Sequence, residues 1–501
     1  MKRHLPVLTA SAAFVAVSVV LVQPGQAAPP GGPRFAPGVQ LTVPSDQQLV
    51  LGALPYGLTQ GEPTIRSDSA GTLYVMAPGS TPIGCELWVR PAGASSFAFH
   101  APPDLGAGGG DCDMATGPAP GQVAYSSLSA ADITVGSSTD SGNTFTTPNP
   151  VGSPIAGDDR QWMATDGTTT YLTTHFVASD NIGVLRSTDG GKTFSVGGLA
   201  IDPAHVAQAA YNNELGPIVV DMASPATPKP VYTIFTAPST AASNLTTGAG
   251  STQNANNGVY LAASADGGTT WVDTPIWVGP ATETYDHIFP ALGVDAAGNL
   301  WAAFSSDTHI YLTHAGTRGT TIPTASLLDS VLDPGALLRT EALQPATSGG
   351  LQWTTPTQID STNTAKVFPW IVGGGAGRAA LVWYSGTAGS ADDVSNQWVV
   401  SYAQLRDTHS GLSVTQSVAS TNPDGTTHVL HAGAICETGV TCSINGDRTL
   451  LDFFTDTITP DGRVSIAWAN DSGTAGAGVI YTTTMCAGTS LMTGKALTSS
   501  C

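Results

Sequence analysis

The chain has 501 residues, of which 17 are Lys or Arg and 37 are Asp or Glu, giving a net charge of −20. That field repels a nucleic-acid backbone, and a general DNA- or RNA-binding role is set aside. With 58 Gly, 35 Pro and only 11% charged residues, the composition suits many short strands and turns.

Residues 1–27 read as a secretory leader. Lys2 and Arg3 are its basic start, 7–22 its apolar run, and Gly25-Gln26-Ala27 a small-residue cleavage site after Ala27. The run is short for a bilayer span, and Pro24 and Gly25 break it. No later segment is apolar enough to cross a membrane. The expected product is secreted, extracellular, without a membrane span and monomeric. Loss of Lys2 and Arg3 leaves 15 basic against 37 acidic residues, a net of −22.

The six cysteines are Cys85, Cys112, Cys436, Cys442, Cys486 and Cys501. An even count in an oxidising compartment predicts disulfides, and proximity favours Cys85–Cys112, Cys436–Cys442 and Cys486–Cys501. Zinc ligation at these cysteines is disfavoured, because there is no C-x-x-C pair and no nearby His at ligand spacing.

Residues 28–60 form a Pro/Gly-rich leader segment followed by a closing strand near Val39-Gln40-Leu41-Thr42-Val43. From Gly61 a unit recurs: a polar or acidic start, an apolar strand, a turn with Asp or Gly, another apolar strand. Its seven starts lie at Glu62, at Asp111-Cys112-Asp113, at Asp158-Asp159-Arg160, at Glu214, at Asp286-His287, at Val367-Phe368, and at Asp447-Arg448 through Asp452. A fixed period of this kind marks a repeat architecture. Units four and five carry insertions, at 239–258 and 320–350, and a short helix is expected within 325–343. No long amphipathic helix emerges. The expected fold is all-β: one β-propeller over 61–501 with seven four-stranded blades, six being the alternative.

Three turns share the pattern S-x-D-x-G-x-T-[FW]. They are Ser138 to Phe145, Ser187 to Phe194 and Ser264 to Trp271, with Asp140, Asp189 and Asp266 at the third position. The carboxylate can accept turn N–H groups, and Gly supplies a φ > 0 position. These turns resemble the Asp-box, the bacterial neuraminidase repeat of sialidases and other propellers. The resemblance implies that each box joins the two outer strands of a blade, on the face away from the catalytic centre. It also implies a glycoside hydrolase of exo-α-sialidase type. Sialidases use a Tyr nucleophile paired with a Glu, three Arg residues around the substrate carboxylate, and an Asp acid/base. Here the F/Y-R-I-P signature is absent, Pro63-Thr64-Ile65-Arg66 being a different motif, and no Tyr–Glu pair is assignable.

The unit starts should converge on the mouth of the central channel. They bring Glu62, Asp113, Asp159, Glu214, Asp286 and Asp452 as candidate catalytic carboxylates, and Arg160, His287 and Arg448 as candidate substrate ligands. An Arg beside a carboxylate presents a planar donor fork to a sugar or a carboxylate. The same pairs would equally serve to lock blades together. No cofactor is required, and no metal ligand is assigned. Ca²⁺ is admitted at the acidic rim, which offers oxygen donors. His428-x-x-His431 lacks a third ligand in register and reads as structural. The function expected is a secreted sialidase-like propeller hydrolysing an extracellular glycan; the alternative is a non-catalytic module binding a glycan or a protein.

Overall fold

The structure is a computed structural model describing residues 18–20, 32–45, 50–51, 54–55, 61–79, 83–129, 132–150, 158–176, 181–203, 205, 213–240, 256–285, 287–306, 308–316, 351–408, 411–437, 442, 447–471, 478–498 and 501. Most of the leader, Asp286, and most of the insertions, including 325–343, lie outside the described residues.

Seven antiparallel sheets follow one another along the chain, and the described residues contain no helix. The innermost strands are Thr64–Ser67, Cys112–Thr116, Asp158–Thr165, Glu214–Val220, Ala291–Val294, Lys366–Gly373 and Thr455–Ile458, defining blades 1 to 7. Each neighbours the next, and the seventh returns to the first, so the ring closes. The chain is a seven-bladed β-propeller. Each innermost strand is the edge of its own sheet and packs against its two neighbours around the ring.

In blade 7 the outermost position is filled from the N-terminal side. Arg34–Phe35 and Val39–Gln40 both pair antiparallel with Gly478–Ala487. Ser18–Val20 runs parallel beside Gly411–Val418 of blade 6. Cys85–Cys112, Cys436–Cys442 and Cys486–Cys501 are the disulfides. The first ties the third strand of blade 1 to the innermost strand of blade 2.

The repeated turns have one hydrogen-bond pattern. In each, the Ser Oγ donates to Asp Oδ1, at 2.7, 2.7 and 2.9 Å for Asp140, Asp189 and Asp266. The Gly two residues after the Asp donates its N–H back to that Ser Oγ. The Thr four residues after the Asp donates N–H to Oδ1 and hydroxyl to Oδ2. Where the second and third turns place glycine at φ > 0, the first places Ser141, at φ 63°. The hydroxyl and amide bonds to Asp140 lower its pKa to about 2. These turns join the third and fourth strands of blades 2, 3 and 4. By strand alternation they lie on the face opposite the starts of the inner strands.

The turns between first and second strands add a latch on that same face. Asp68 Oδ1 accepts the Ala70 and Thr72 amides, and its Oδ2 accepts Gly121 N–H of blade 2. Asp295 repeats this in blade 5, its Oδ2 accepting Gly377 N–H of blade 6.

Candidate functional site at the channel mouth

Five blades begin with a non-glycine residue in the left-handed region: Glu62 (φ 47°), Arg160 (φ 41°), Ile288 (φ 53°), Phe368 (φ 58°) and Leu451 (φ 53°). Such backbone costs about 1–3 kcal/mol per residue and persists only where the surroundings enforce it. In blades 3 and 6 the ladder slips at this residue, between Asp159 and Gln161 and between Val367 and Trp370. A bulge re-aims the side chains beyond it. What those side chains meet is the ring axis. Trp162 of blade 3 touches Phe289 of blade 5 at 5.3 Å, Trp370 of blade 6 at 4.8 Å and Phe453 of blade 7 at 5.1 Å. Only on the axis can blades 3, 5, 6 and 7 share one cluster, so these rings fill the channel.

Arg160 lies between the rings and the rim. Its guanidinium carbon is 3.7 Å from the centre of the Trp162 ring and 3.9 Å from that of Phe453. Nε, Nη1 and Nη2 make no hydrogen bond, and Asp111 Oδ2 is 3.8 Å from Nη1. The cation is therefore held mainly by ring faces, an interaction that strengthens when desolvated.

Around it stand four carboxyl groups. Glu62 is 4% exposed, and its Oε1 accepts the Asp452 amide at 3.2 Å. Burial raises the Glu62 pKa well above the usual carboxyl range; the charges of Asp111 and Asp452 raise it further, against the opposing pull of Arg160. Asp452 accepts both arms of Arg448, at 2.5 and 2.6 Å. Asp159 accepts the Arg160 amide at 2.9 Å, and burial, then the charge of Asp111, raises its pKa. Two arginines thus face four carboxyl groups in partly desolvated surroundings. The raised Glu62 pKa favours its neutral form, which relieves the excess of negative charge. Asp111, Arg448 and Asp452 keep partial exposure and line the open side.

The starts of blades 1, 3 and 7 therefore bring Glu62, Asp159, Arg160, Arg448 and Asp452 together. The other sequence candidates lie elsewhere. Asp113 is buried between blades, accepting from Arg66 at 2.7 Å, Thr64 at 3.3 Å and the Met163 amide at 2.7 Å. Glu214 opens the innermost strand of blade 4, across the ring from blade 7. His287 pairs with Glu437 at 3.3 Å at the start of blade 5. Asp140, Asp189 and Asp266 are on the far face. The residue that sequence reasoning passed over is Asp111. Its signal was an acidic residue one place ahead of Cys112, whose disulfide anchors it. His428 and His431 are separately occupied: the first lies between Asn422 and Asn470, the second beside Asp447 and Asp471. A cleft of about 320 Å³ beside His100, Asn143 and Phe145 lies on the outer part of blades 1 and 2, away from these groups.

The sequence matches no family model and no curated protein. Among solved structures, a protein of unknown function from Dyadobacter fermentans is similar over 91% of this chain and 99% of its own, at 12% identity and TM-score 0.43. A GH74 xyloglucanase from Xanthomonas campestris is similar over 84% of this chain and 53% of its own, at 14% identity and TM-score 0.42. A Hadza microbial sialidase is similar over 72% and 65%, at 11% identity and TM-score 0.35. At these values the likeness assigns no residue a role.

Proposed function

We propose that this propeller is an extracellular glycoside hydrolase working at the channel mouth. The observation that carries the reading is the buried Glu62 carboxyl, bonded to the Asp452 amide, beside the Arg448-forked Asp452 carboxylate. Most glycoside hydrolysis needs one carboxyl group that is protonated at working pH and a second carboxylate that assists attack. Burial and like charge supply the first condition at Glu62. Asp111, on the open side, passes that proton to the departing glycosidic oxygen and is reprotonated from Glu62. Asp452, oriented by the Arg448 fork, activates water or attacks the anomeric carbon. Arg448 and the partly exposed rim bind sugar hydroxyls. Three disulfides and the leader-like start support an oxidising destination.

One observation favours the second reading, a non-catalytic glycan- or protein-binding propeller. The aromatic cluster closes the channel directly beneath the rim, and Glu62 is nearly inaccessible. A reducing-sugar screen over plant, fungal and bacterial polysaccharides, run beside a glycan array, separates the two. Hydrolysis that falls at least 100-fold in Asp111→Asn and in Asp452→Asn, with the fold retained, supports the enzyme. Binding without cleavage by the unaltered protein overturns it in favour of the module.

A further inference from the structure

A second group of ligand-type side chains lies between blades 3 and 4, on the perimeter. After the outer strand of blade 3, Ala200 bonds back to Ile182 and the chain runs to Asp202. There the Asp202 amide donates to Asp273 Oδ2 at 2.8 Å, on the outer strand of blade 4. His205 Nδ1 then stands 3.4 Å from Asp273 Oδ2 and 3.9 Å from Asp202 Oδ2. One ligand atom from each of the three residues falls within 4.8 Å of the others.

One buried polar atom of this group is without a partner. The Asp273 side chain has no solvent exposure, and its Oδ1 accepts no hydrogen bond. A buried carboxylate oxygen with nothing to accept from is costly. A cation at this point would satisfy what the protein leaves open.

We propose that Asp202, His205 and Asp273 form a site for a zinc-class divalent cation, with its remaining position open to water. A tetrahedral ion with N and O bonds of about 2.0–2.1 Å sets its ligands roughly 3.4 Å apart. The His205–Asp273 separation already has that value, and His205–Asp202 exceeds it by a side-chain adjustment. One imidazole with two carboxylates suits Zn²⁺ or Co²⁺ better than Ca²⁺, which takes six to eight oxygens. The ion would fasten the connection between blades 3 and 4 to the outer strand of blade 4. It takes no part in the mouth chemistry.

The test uses the full chain, treated with chelator and dialysed. Titration with Co²⁺ followed by visible absorption, and with Zn²⁺ by calorimetry, should give one ion per chain at this site, with the intense visible bands of a four-coordinate Co²⁺. Asp202→Asn and His205→Ala should each weaken binding at least tenfold. His431→Ala, which alters the other His–Asp group, should leave it intact. Asp202 is the safeguard against misfolding, because it lies on a partly exposed loop; circular dichroism of each variant confirms the fold. No binding by the folded wild-type chain overturns the proposal, as does binding lost in His431→Ala but kept in His205→Ala.

Discussion

Replacing Arg160 by Met removes a buried cation while keeping a flexible apolar chain between Trp162 and Phe453. Two desolvated ring faces at 3.7 and 3.9 Å are each worth up to about 2 kcal/mol. Thioether contacts with the same rings return about 0.3–1.5 kcal/mol each. Loss of the cation also leaves Asp111 and the Glu62–Asp452 pair facing Arg448 alone, and uncovering buried charge costs about 3–5 kcal/mol. The net expectation is a loss of about 4–8 kcal/mol. Asp111→Asn tests how much of this is charge. Urea is uncharged, so urea unfolding of the oxidised protein at pH 7, followed by fluorescence and circular dichroism, reads the cycle without screening it. The double variant should lose less than the sum of the single losses by at least about 1 kcal/mol. Additivity within about 0.5 kcal/mol would refute the electrostatic part of the reasoning and leave Arg160 held by the rings alone.

Two further outcomes follow from features elsewhere in the ring. Asp456 is buried with neither carboxyl oxygen hydrogen-bonded to another residue, and burial raises its pKa well above the usual value, against the opposing charge of Arg66. A raised folded value gives stability that is complete below the unfolded carboxyl value and is lost as pH rises through the folded one. Asp456→Asn should therefore flatten the decline of stability above pH 4 and gain at least about 1.4 kcal/mol at pH 8, read by urea melts at both ends; an unchanged slope would sink the argument. For the disulfides, the chain-entropy relation gives about 3.5 kcal/mol for the 27-residue separation of Cys85–Cys112 and about 2.3 kcal/mol for the six-residue separation of Cys436–Cys442. Paired Cys→Ala variants should lose stability in that order, and the reverse order would show that native-state packing, not loop length, governs them.

The repeated turns were legible because their chemistry is local. A carboxylate capping the amides and hydroxyl of the following residues needs Asp, Gly and Thr at fixed offsets, and those offsets survive in the letters. The inner-strand starts were legible for a similar reason, through the abrupt change from polar to apolar. One was displaced: Arg448 to Asp452 reads as a strand, but it is a turn with Leu451 at φ 53°, and the strand begins at Thr455. The Arg448–Asp452 fork spans four residues, which a strand would hold far apart. Asp113 was chosen over Asp111 because an acidic pair around Cys112 does not say which member turns to the mouth and which is held between blades 1 and 3. The aromatic filling was present as Trp162, Trp370 and Phe453, each two places after a left-handed residue. Without φ values that spacing had no meaning. The Asp202–His205–Asp273 group has no sequence signal, since Asp273 belongs to a different blade.

The bond from Thr483 Oγ1 to Ala36 O joins residues 447 positions apart. During synthesis, the segment that completes the last blade emerges first and waits for a partner made almost at the end. Until then the growing ring is an open arc, and the contacts of Phe453 in blade 7 with Trp162, Phe289 and Trp370 wait for the last blade. The aromatic axis and the carboxylates above it are therefore assembled in one late step.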